Sequence, residues 1–356
     1  MRKIMTNKEL AQNLGISPAA LSLIINHKPG VSDATRAAAL AQIKEMGYEH
    51  IIKKIPSAPS CNLCFIIFKR HGEILDLHPF FLLLMENIEK RARAYGYSIL
   101  LYTIDRRLPM EPQIEYMNGL DCHGAILFAT EMKDEDMEVF NAFPQPVVAL
   151  DNDFPRLTCN SIAINNQMGT FQAVEHLVGN GHSRIGYLKS IISINSFLER
   201  QQGYENALSY FKRSFLPEDI LEVHYTEEGS YQDIRKYLQE HKSGQFPTAY
   251  VCDDDTIAVG AIRAFSEQGI RIPEDISIVG FNDRPSCKAT NPPLTSIDVS
   301  THALAYEAVD ELMRLIQNQD GTEGETRSRK IRIGTKLVVR ESAAAVSTDR
   351  LSQPFL

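Results

Sequence analysis

From residue 62 to about residue 340, short apolar runs alternate with amphipathic stretches, and this alternation limits the possible folds more than any other feature. The runs are "LCFIIF", "YSILLY", "GAILFA", "PVVAL", "IGYL", "AYVC" and "ISIVGF". Between them lie "FFLLLMENIEKRARAYG", "NQMGTFQAVEHLVGNG", "RQQGYENALSYFKR" and "TIAVGAIRAFSEQG". Strand, helix, strand in repetition predicts an α/β fold of parallel sheets with helices on both faces. The series restarts near residue 160, which predicts two similar lobes. The first takes in about 62–160 plus 292–320, the second about 161–291 plus 321–340. Ligands of such sheets sit beyond the carboxyl ends of the strands, so two lobes predict a cleft between them. Residues 341–356 carry no period and are expected to form a loose tail.

Residues 1–50 follow a different pattern. Leu10, Leu14, Leu21, Ile24, Ile25, Ala37, Leu40 and Ile43 fall at helical spacing, and Gly15 interrupts the run. In "SPAALSLIIN", Ser17 is a cap, Pro18 suits a first turn and Asn26 suits a close. "KPGVSDATRAAALAQIKEMGY" gives a turn, a Ser/Asp-capped third helix and a glycine stop at Gly47. Helix, tight turn with glycine, helix is the helix-turn-helix pattern. The next stretch, 51–61, contains Pro56 and Pro59 among Ser, Ala and Lys, and is expected to be a linker.

Charge supports the division. Residues 1–58 hold eight Lys or Arg against four acids, a charge of +4, which leaves −12 for the rest of a chain whose net charge is −8. A basic head on an acidic body points to one nucleic-acid-binding end. No window approaches the ~18–20 apolar residues of a membrane span. The opening "MRKIMTNKELAQNLG" lacks the apolar core of a signal peptide, so a cytoplasmic protein is expected, at the nucleoid when bound to DNA. Cys61 and Cys64 have C-x-x-C spacing, but no second pair completes a zinc site, and they lead into an apolar strand. The cysteines are therefore expected to be free thiols in the core.

Enzymatic signals are missing. The chain has no G-x-S-x-G, no Walker loop, no H-E-x-x-H, and no G-x-G-x-x-G after a strand. His176 and His182 are separated by five residues and fall on different helix faces or beyond the helix end. No catalytic residue, metal or cofactor is expected.

Taken in order, the motifs resemble the lactose repressor family (LacI/GalR-type bacterial transcriptional regulators). The head "TNKELAQNLGISPAALSLIINHKPGVSDATRAAALAQIKEMGY" follows the family pattern almost position for position. "INNQMGTFQAVEHLVGNGHSRIGYL" resembles its D-N-x-x-G…A…H-L…G-H-x-x-I stretch, and "RQQGYENAL" its R-x-x-G-F/Y. "FPTAYVCDDDTIAVGAIRAFSEQGIRIPEDISIVGFND", "NPPLTSIDVS" and "LVVRES" complete the match. Two departures stand out. Asn165 occupies a place where Asp is usual. The linker lacks the family's Ala-Arg-x-Leu hinge core and is about three residues short, so the chain is expected either to bend its operator less than its relatives do or to use Ile51, Ile52 or Ile55 as a substitute wedge in the minor groove.

The resemblance implies a helix-turn-helix head on a two-lobed, periplasmic-binding-protein-like body. It also implies a homodimer that binds double-stranded operator DNA and responds to a small effector in the cleft. The helix from Ser17 to Asn26 would enter the major groove with Pro18, Ala19 and Leu23 at the bases, and Thr6, Ser17, Ser22, Asn26, Lys28 and Thr35 would make the remaining DNA contacts, largely to phosphates. For the effector it implies Phe80 and Phe81 from "HPFF", Asp151 after "PVVAL", Arg200 of R-x-x-G, Asp254 or Asp255 after "AYVC" and Asn282 after "IVGF", with Ser196 and Tyr225 more loosely aligned. Aromatic faces stack on sugars or bases, and acceptors with a forked guanidinium suit adjacent hydroxyls.

The function expected is an effector-controlled repressor of a carbohydrate-utilisation operon. The alternative is a regulator that answers to a nucleobase or nucleoside. A solute-binding protein of transport shares the two-lobed body, but the basic head and missing signal peptide count against it. An enzyme on the same fold lacks a nucleophile, metal set or phosphate loop.

Overall fold

A computed structural model describes residues 7–25, 30–46, 48, 61–74, 79–241, 246–319 and 327–346. Thr6, Asn26, Lys28, Gly47, Ile51, Ile52, Ile55, Pro56 and Pro59 lie outside the described residues, so the expected hinge does too. The chain divides into two compact units, Met1–Cys61 and Asn62–Leu356.

The first unit holds α1 (Asn7–Asn13), α2 (Pro18–Ile25) and α3 (Asp33–Glu45). Gly15 turns the chain between α1 and α2 at φ +65°, where a side chain would strain the backbone. Ser17 caps α2, its Oγ accepting from the Ala20 N–H at 3.0 Å. Ser32 caps α3 by accepting from the Thr35 N–H. Leu10, Ala11, Leu21 and Ile43 form a small buried core. Arg36 Nη1 donates to the Leu23 carbonyl at 3.2 Å and ties α3 to α2.

The second unit is the α/β body. Its first half runs β1 (Asn62–Lys69), α4 (Pro79–Ala94), β2 (Ser98–Asp105), α5 (Met110–Asn118), β3 (Ala125–Phe128), β4 (Val147–Leu150) and β5 (Asn160–Ile164). Then follow α6 (Asn166–Gly179), β6 (Ile185–Ser190), α7 (Asn195–Tyr210), β7 (Ile220–Val223) and α8 (Glu227–Glu240). The remainder is β8 (Ala249–Cys252), α9 (Asp255–Glu267), β9 (Ser277–Asn282), β10 (Thr295–Asp298), α10 (Thr301–Gln319), β11 (Lys330–Ile333) and β12 (Lys336–Val338). One sheet is ordered β11-β5-β4-β3-β1-β2, the other β12-β10-β9-β8-β6-β7. All neighbours are parallel except β12, which runs antiparallel to β10. Burial on both faces explains the unbroken apolar run of β1, whose six inner residues are all buried.

The lobe boundaries differ from those expected. β5 pairs with β4 (Val148↔Asn160) and belongs to the first lobe. β10 pairs with β9 and belongs to the second, not the first. β11 returns to the first lobe, pairing Lys330 with Ser161. The chain thus crosses between lobes at 164–166, 298–301 and 333–336. A four-residue strand has the same apolar pattern whichever sheet it joins, so hydropathy does not reveal its partner.

The expected loose tail is also corrected for residues 341–346. Ser342 is fully buried, donating to the Ile278 carbonyl at 2.6 Å and accepting from the Thr295 N–H at 2.8 Å. Val346 N–H donates to the Asn180 carbonyl. Residues from 347 onward lie outside the description. The six cysteines are unbridged; Cys64, Cys122, Cys252 and Cys287 are buried, whereas Cys61 and Cys159 are half-buried. Among the described residues no helix is long and apolar enough to cross a membrane.

Candidate functional site

The strands of both sheets end at a partly open cavity between the lobes, whose empty space, counted with the solvent at its mouth, is about 410 Å³. Strand ends, loops and a helix start of the first lobe bring Ile74, Phe81, Phe128, Thr130, Asp151 and Ile164 to it; the second lobe brings Ile194, Ser196, Phe197, Arg200, Tyr225, Asp254 and Asn282.

Arg200 is 4% exposed and stands over the Phe281 ring, its guanidinium carbon 3.8 Å from the centroid. Its Nε donates to Asn166 Oδ1 at 3.0 Å, Nη1 to the Asp253 carbonyl at 2.5 Å and Nη2 to Asn282 Oδ1 at 3.4 Å. Ser196, Phe197 and Arg200 share one face of α7 because they are three and four residues apart. Two glycines permit close packing, Gly203 of α7 against α6 and Gly169 of α6 against β9. A Cβ on Gly203 would lie 2.7 Å from Gln167 Cα, and one on Gly169 would lie 2.8 Å from the Phe281 ring.

Asp151 follows β4 with φ +67°. Burial pushes its carboxyl up to about 6, opposed by a hydrogen bond from the Thr130 hydroxyl. Asp253, whose backbone carbonyl accepts from Arg200, has its carboxyl pushed up to about 7 by burial, although it accepts from the Tyr187 hydroxyl at 2.5 Å and the Ser190 N–H at 2.7 Å. Asp254 caps α9 by accepting from the Thr256 N–H, and also accepts from Asn282 Nδ2 at 2.6 Å. Arg284, 8% exposed, donates to Asp254 Oδ2 at 2.9 Å and to the Tyr225 hydroxyl at 3.0 Å. Burial raises the Tyr225 phenol against the opposing pull of Arg284, so the hydroxyl stays protonated. Aromatic surface comes from both lobes: Phe81 packs 5.8 Å from Phe128, and Phe197 packs 5.7 Å from Tyr225, centroid to centroid.

Of the side chains expected at the effector, Phe81, Asp151, Ser196, Arg200, Tyr225, Asp254 and Asn282 line this one cavity. Phe80 falls within α4, and its side chain lies outside the description. Asp255 does not line it. Its Oδ1 accepts from the Ser296 hydroxyl at 2.6 Å and its Oδ2 from the Arg284 N–H at 2.8 Å, which turns the carboxyl away from the cavity and locks the start of α9 to β10. Sequence reasoning missed Thr130, Phe197, Asn166, Asp253 and Arg284. Thr130 and Asp253 sit just past apolar runs, as Asp151 does, and Phe197 shares the Arg200 face, so position alone pointed to these three. Asn165 caps α6 by accepting from the Met168 N–H, a role in which Asn and Asp are equivalent.

In the head, Pro18, Ala19 and Ser22 are exposed on α2 and Leu23 is half-buried, while Leu21 and Ile24 face the core. Ser17 and Thr35 are exposed at the starts of α2 and α3. Among the described residues no group of three or more His, Cys, Asp or Glu could hold a metal. His182 is instead buried against Thr248, Ser277 and the Ala344 carbonyl.

Comparisons with known proteins bear on both units. Residues 174–343 match the family model described as a periplasmic binding protein-like domain. The ribose operon repressor of Haemophilus influenzae is 31% identical over 319 residues, covering 88% of this chain and 92% of that protein. The HTH-type transcriptional repressor PurR of the same organism is 28% identical over 349 residues, covering 96% and 99%. The crystal structure of the Lac repressor dimer bound to operator and the anti-inducer ONPF matches with a TM-score of 0.70 at 26% identity, covering 96% of this chain and 100% of that one. A complex of the transcriptional regulator CelR with cellobiose shares the fold, with a TM-score of 0.68 at 23% identity, covering 96% and 100%.

Proposed function

The chain belongs to the lactose repressor family of effector-controlled, DNA-binding transcriptional repressors, and from that premise we propose that it governs a carbohydrate-utilisation operon as a homodimer, under the control of a neutral, hydroxyl-rich sugar held between the lobes. The observation that carries this proposal is the meeting of opposite chemistries in one cavity. Aromatic rings of both lobes offer apolar faces, and Asp151, Arg200 and Asn282 offer an acceptor, a donor and a group that does both. A sugar ring presents C–H faces to the first set and hydroxyls to the second. The charges nearly balance, since Arg284 answers Asp254 and Arg200 faces a carboxyl that burial lifts to about 6. A neutral ligand fits that balance. The names of the relatives agree, one a ribose operon repressor and one solved with cellobiose.

Exposed Pro18, Ala19 and Ser22 with half-buried Leu23 give the head an outer helix face for the major groove, and two heads of a dimer would read a near-palindrome. Gel-shift titration of the full chain on duplex DNA from upstream of its own gene tests the proposal. D-ribose, cellobiose, other sugars, hypoxanthine and adenosine are added in turn. A sugar that moves the DNA affinity is the expected result. A response to a nucleobase or nucleoside alone replaces the sugar with the alternative ligand class, and failure to bind any upstream duplex sinks the assignment to that operon.

A further inference from the structure

Asn166, the first residue of α6, is 3% exposed, and its amide lies between two charged neighbours on α7. Nδ2 donates to Glu199 Oε2 at 2.8 Å, and Oδ1 accepts from Arg200 Nε at 3.0 Å. A carboxylate only accepts and a guanidinium only donates, so one orientation of the amide satisfies both. Arg200 lines the cavity. Glu199 meets Arg332 instead, accepting from Nη1 at 2.8 Å and from Nη2 at 2.7 Å. Arg332 lies on β11 of the first lobe, where Asp153 also holds it at 2.7 Å, whereas Asn166, Glu199 and Arg200 belong to the second lobe. Arg332 is not among the residues lining the cavity.

We propose that Asn166 is a positioning residue that fixes the Arg200 guanidinium for effector recognition and joins it to the Glu199–Arg332 ion pair between the lobes. The proposal rests on Arg200 serving the effector site. Asp at position 166 would accept from Arg200 but set a second negative charge against Glu199. An aliphatic residue would leave Arg200 Nε without this acceptor. Loss of Arg332 frees the Glu199 carboxylate to turn towards solvent, the amide loses the contact that orients it, and Arg200 Nε loses a fixed partner. By linkage, an effector that holds Arg200 in place strengthens the contact between lobes by the same factor.

The test uses the full chain labelled with ¹⁵N at arginine, without ligand, with the Arg200 Nε–H resonance assigned through its loss in Arg200→Lys. Asn166→Ala is expected to shift that resonance and speed its hydrogen exchange roughly tenfold, and so is Arg332→Met, a milder change on the edge strand β11. Arg332→Lys, which keeps the charge, is expected to hold the resonance nearer its native position. An Arg200 signal unmoved by Arg332→Met overturns the proposal, even if the melting temperature falls. Titration calorimetry with D-ribose adds a second arm. Each single change is expected to weaken binding about tenfold, and the double variant no further. A multiplicative loss near a hundredfold overturns the coupling. If D-ribose does not bind the unaltered protein, the sugar assignment loses its support there, and the resonance still decides the role of Asn166.

Discussion

Thr130 donates its hydroxyl to Asp151 Oδ2 at 2.7 Å, although the two residues follow different strands. β3 and β4 are neighbours in register, so their carboxyl ends place the two side chains together at the cavity. This one bond lowers the carboxyl less than burial raises it, and the group ends at about 6 instead of the ordinary 3.8. The ligand-free protein therefore holds an acceptor in a place that disfavours its charged form.

The sign follows from linkage. In the unfolded chain Asp151 ionises near 3.8, and in the fold near 6, so the folded state binds more protons between those values. Its contribution to stability falls as pH rises through that window and stays low at pH 7. Asp151→Asn keeps an oxygen for Thr130 and removes the charge. Each tenfold change in a proton-binding equilibrium is worth about 1.4 kcal/mol, so the variant is expected to raise the ligand-free protein's stability at pH 7 by about 1–3 kcal/mol. Urea denaturation at pH 4 and pH 7 checks this. Equal stability of variant and parent at pH 7 would show that the carboxylate is not destabilising.

The same carboxylate accepts a hydroxyl better when ionised. Effector affinity is therefore expected to fall as pH drops through about 6, and Asp151→Asn is expected to bind weakly with no such dependence. Calorimetric titrations at pH 5 and pH 7.5 decide it; a parent protein with the same affinity at both would remove Asp151 from direct contact.

How much of this was legible before the fold depends on the distance over which each residue acts. "LCFIIF" and "AYVC" stand out because strands buried on both faces leave unbroken apolar runs. "NSIAI" and "TSID" do not, since four or five mixed residues are too short for a period to emerge. Asp151 and Asn282 were visible because they close such runs. Asp254 and Asp255 could not be separated by spacing: adjacent carboxyls start one helix, and only Ser296 and the backbone of Arg284, far along the chain, decide which turns inward. Asn166 was hidden for the same reason, because its importance comes from α7 and, through Glu199, from β11.

Arg200→Ala is expected to abolish the response to effector and spare DNA binding. Arg200 lines the cavity of the second unit, and the head forms a unit with its own core. A hydrogen bond from a buried charged group is worth roughly 1.5–3 kcal/mol, or one to two decades of affinity. If the variant answers its effector at the normal concentration in a gel-shift titration, Arg200 does not hold the ligand.

Arg284 carries a structural burden. It joins Asp254, Tyr225 and Thr256 in a buried cluster, with Thr256 Oγ1 2.5 Å from Nη1. Removing one partner of a buried ion pair costs about 3–5 kcal/mol because the other charge stays behind. Arg284→Met is expected to destabilise by that amount in denaturant. Adding Asp254→Asn keeps the helix cap and removes the stranded charge, so the double variant is expected to regain roughly 1–3 kcal/mol. A double variant less stable than the single would mean that the cluster is held by something other than the pair.

What the head reads follows from what α2 lacks. Pro18, Ala19 and Leu23 carry no side-chain donor or acceptor, so none can make the bidentate contacts that identify G or A. Leu21 and Ile24 are spent on the core, which leaves exposed Pro18 and Ala19 and half-buried Leu23 for DNA. The apolar mark in the major groove is the thymine methyl. We therefore expect half-sites rich in T and A where Ala19 and Leu23 reach, with exposed Ser17, Ser22 and Thr35 placing the head on phosphates whatever the sequence. Lys28→Ala, outside the described residues, is expected to weaken all sequences alike and lower the salt slope by about one. Replacing thymine with uracil removes only the methyl group. At each contacted position it is expected to cost about 0.8 kcal/mol, the burial value of one methylene. Fluorescence anisotropy on duplexes with thymine or uracil at matched positions measures the difference. Unchanged affinity with uracil throughout both half-sites would rule out methyl recognition by this helix.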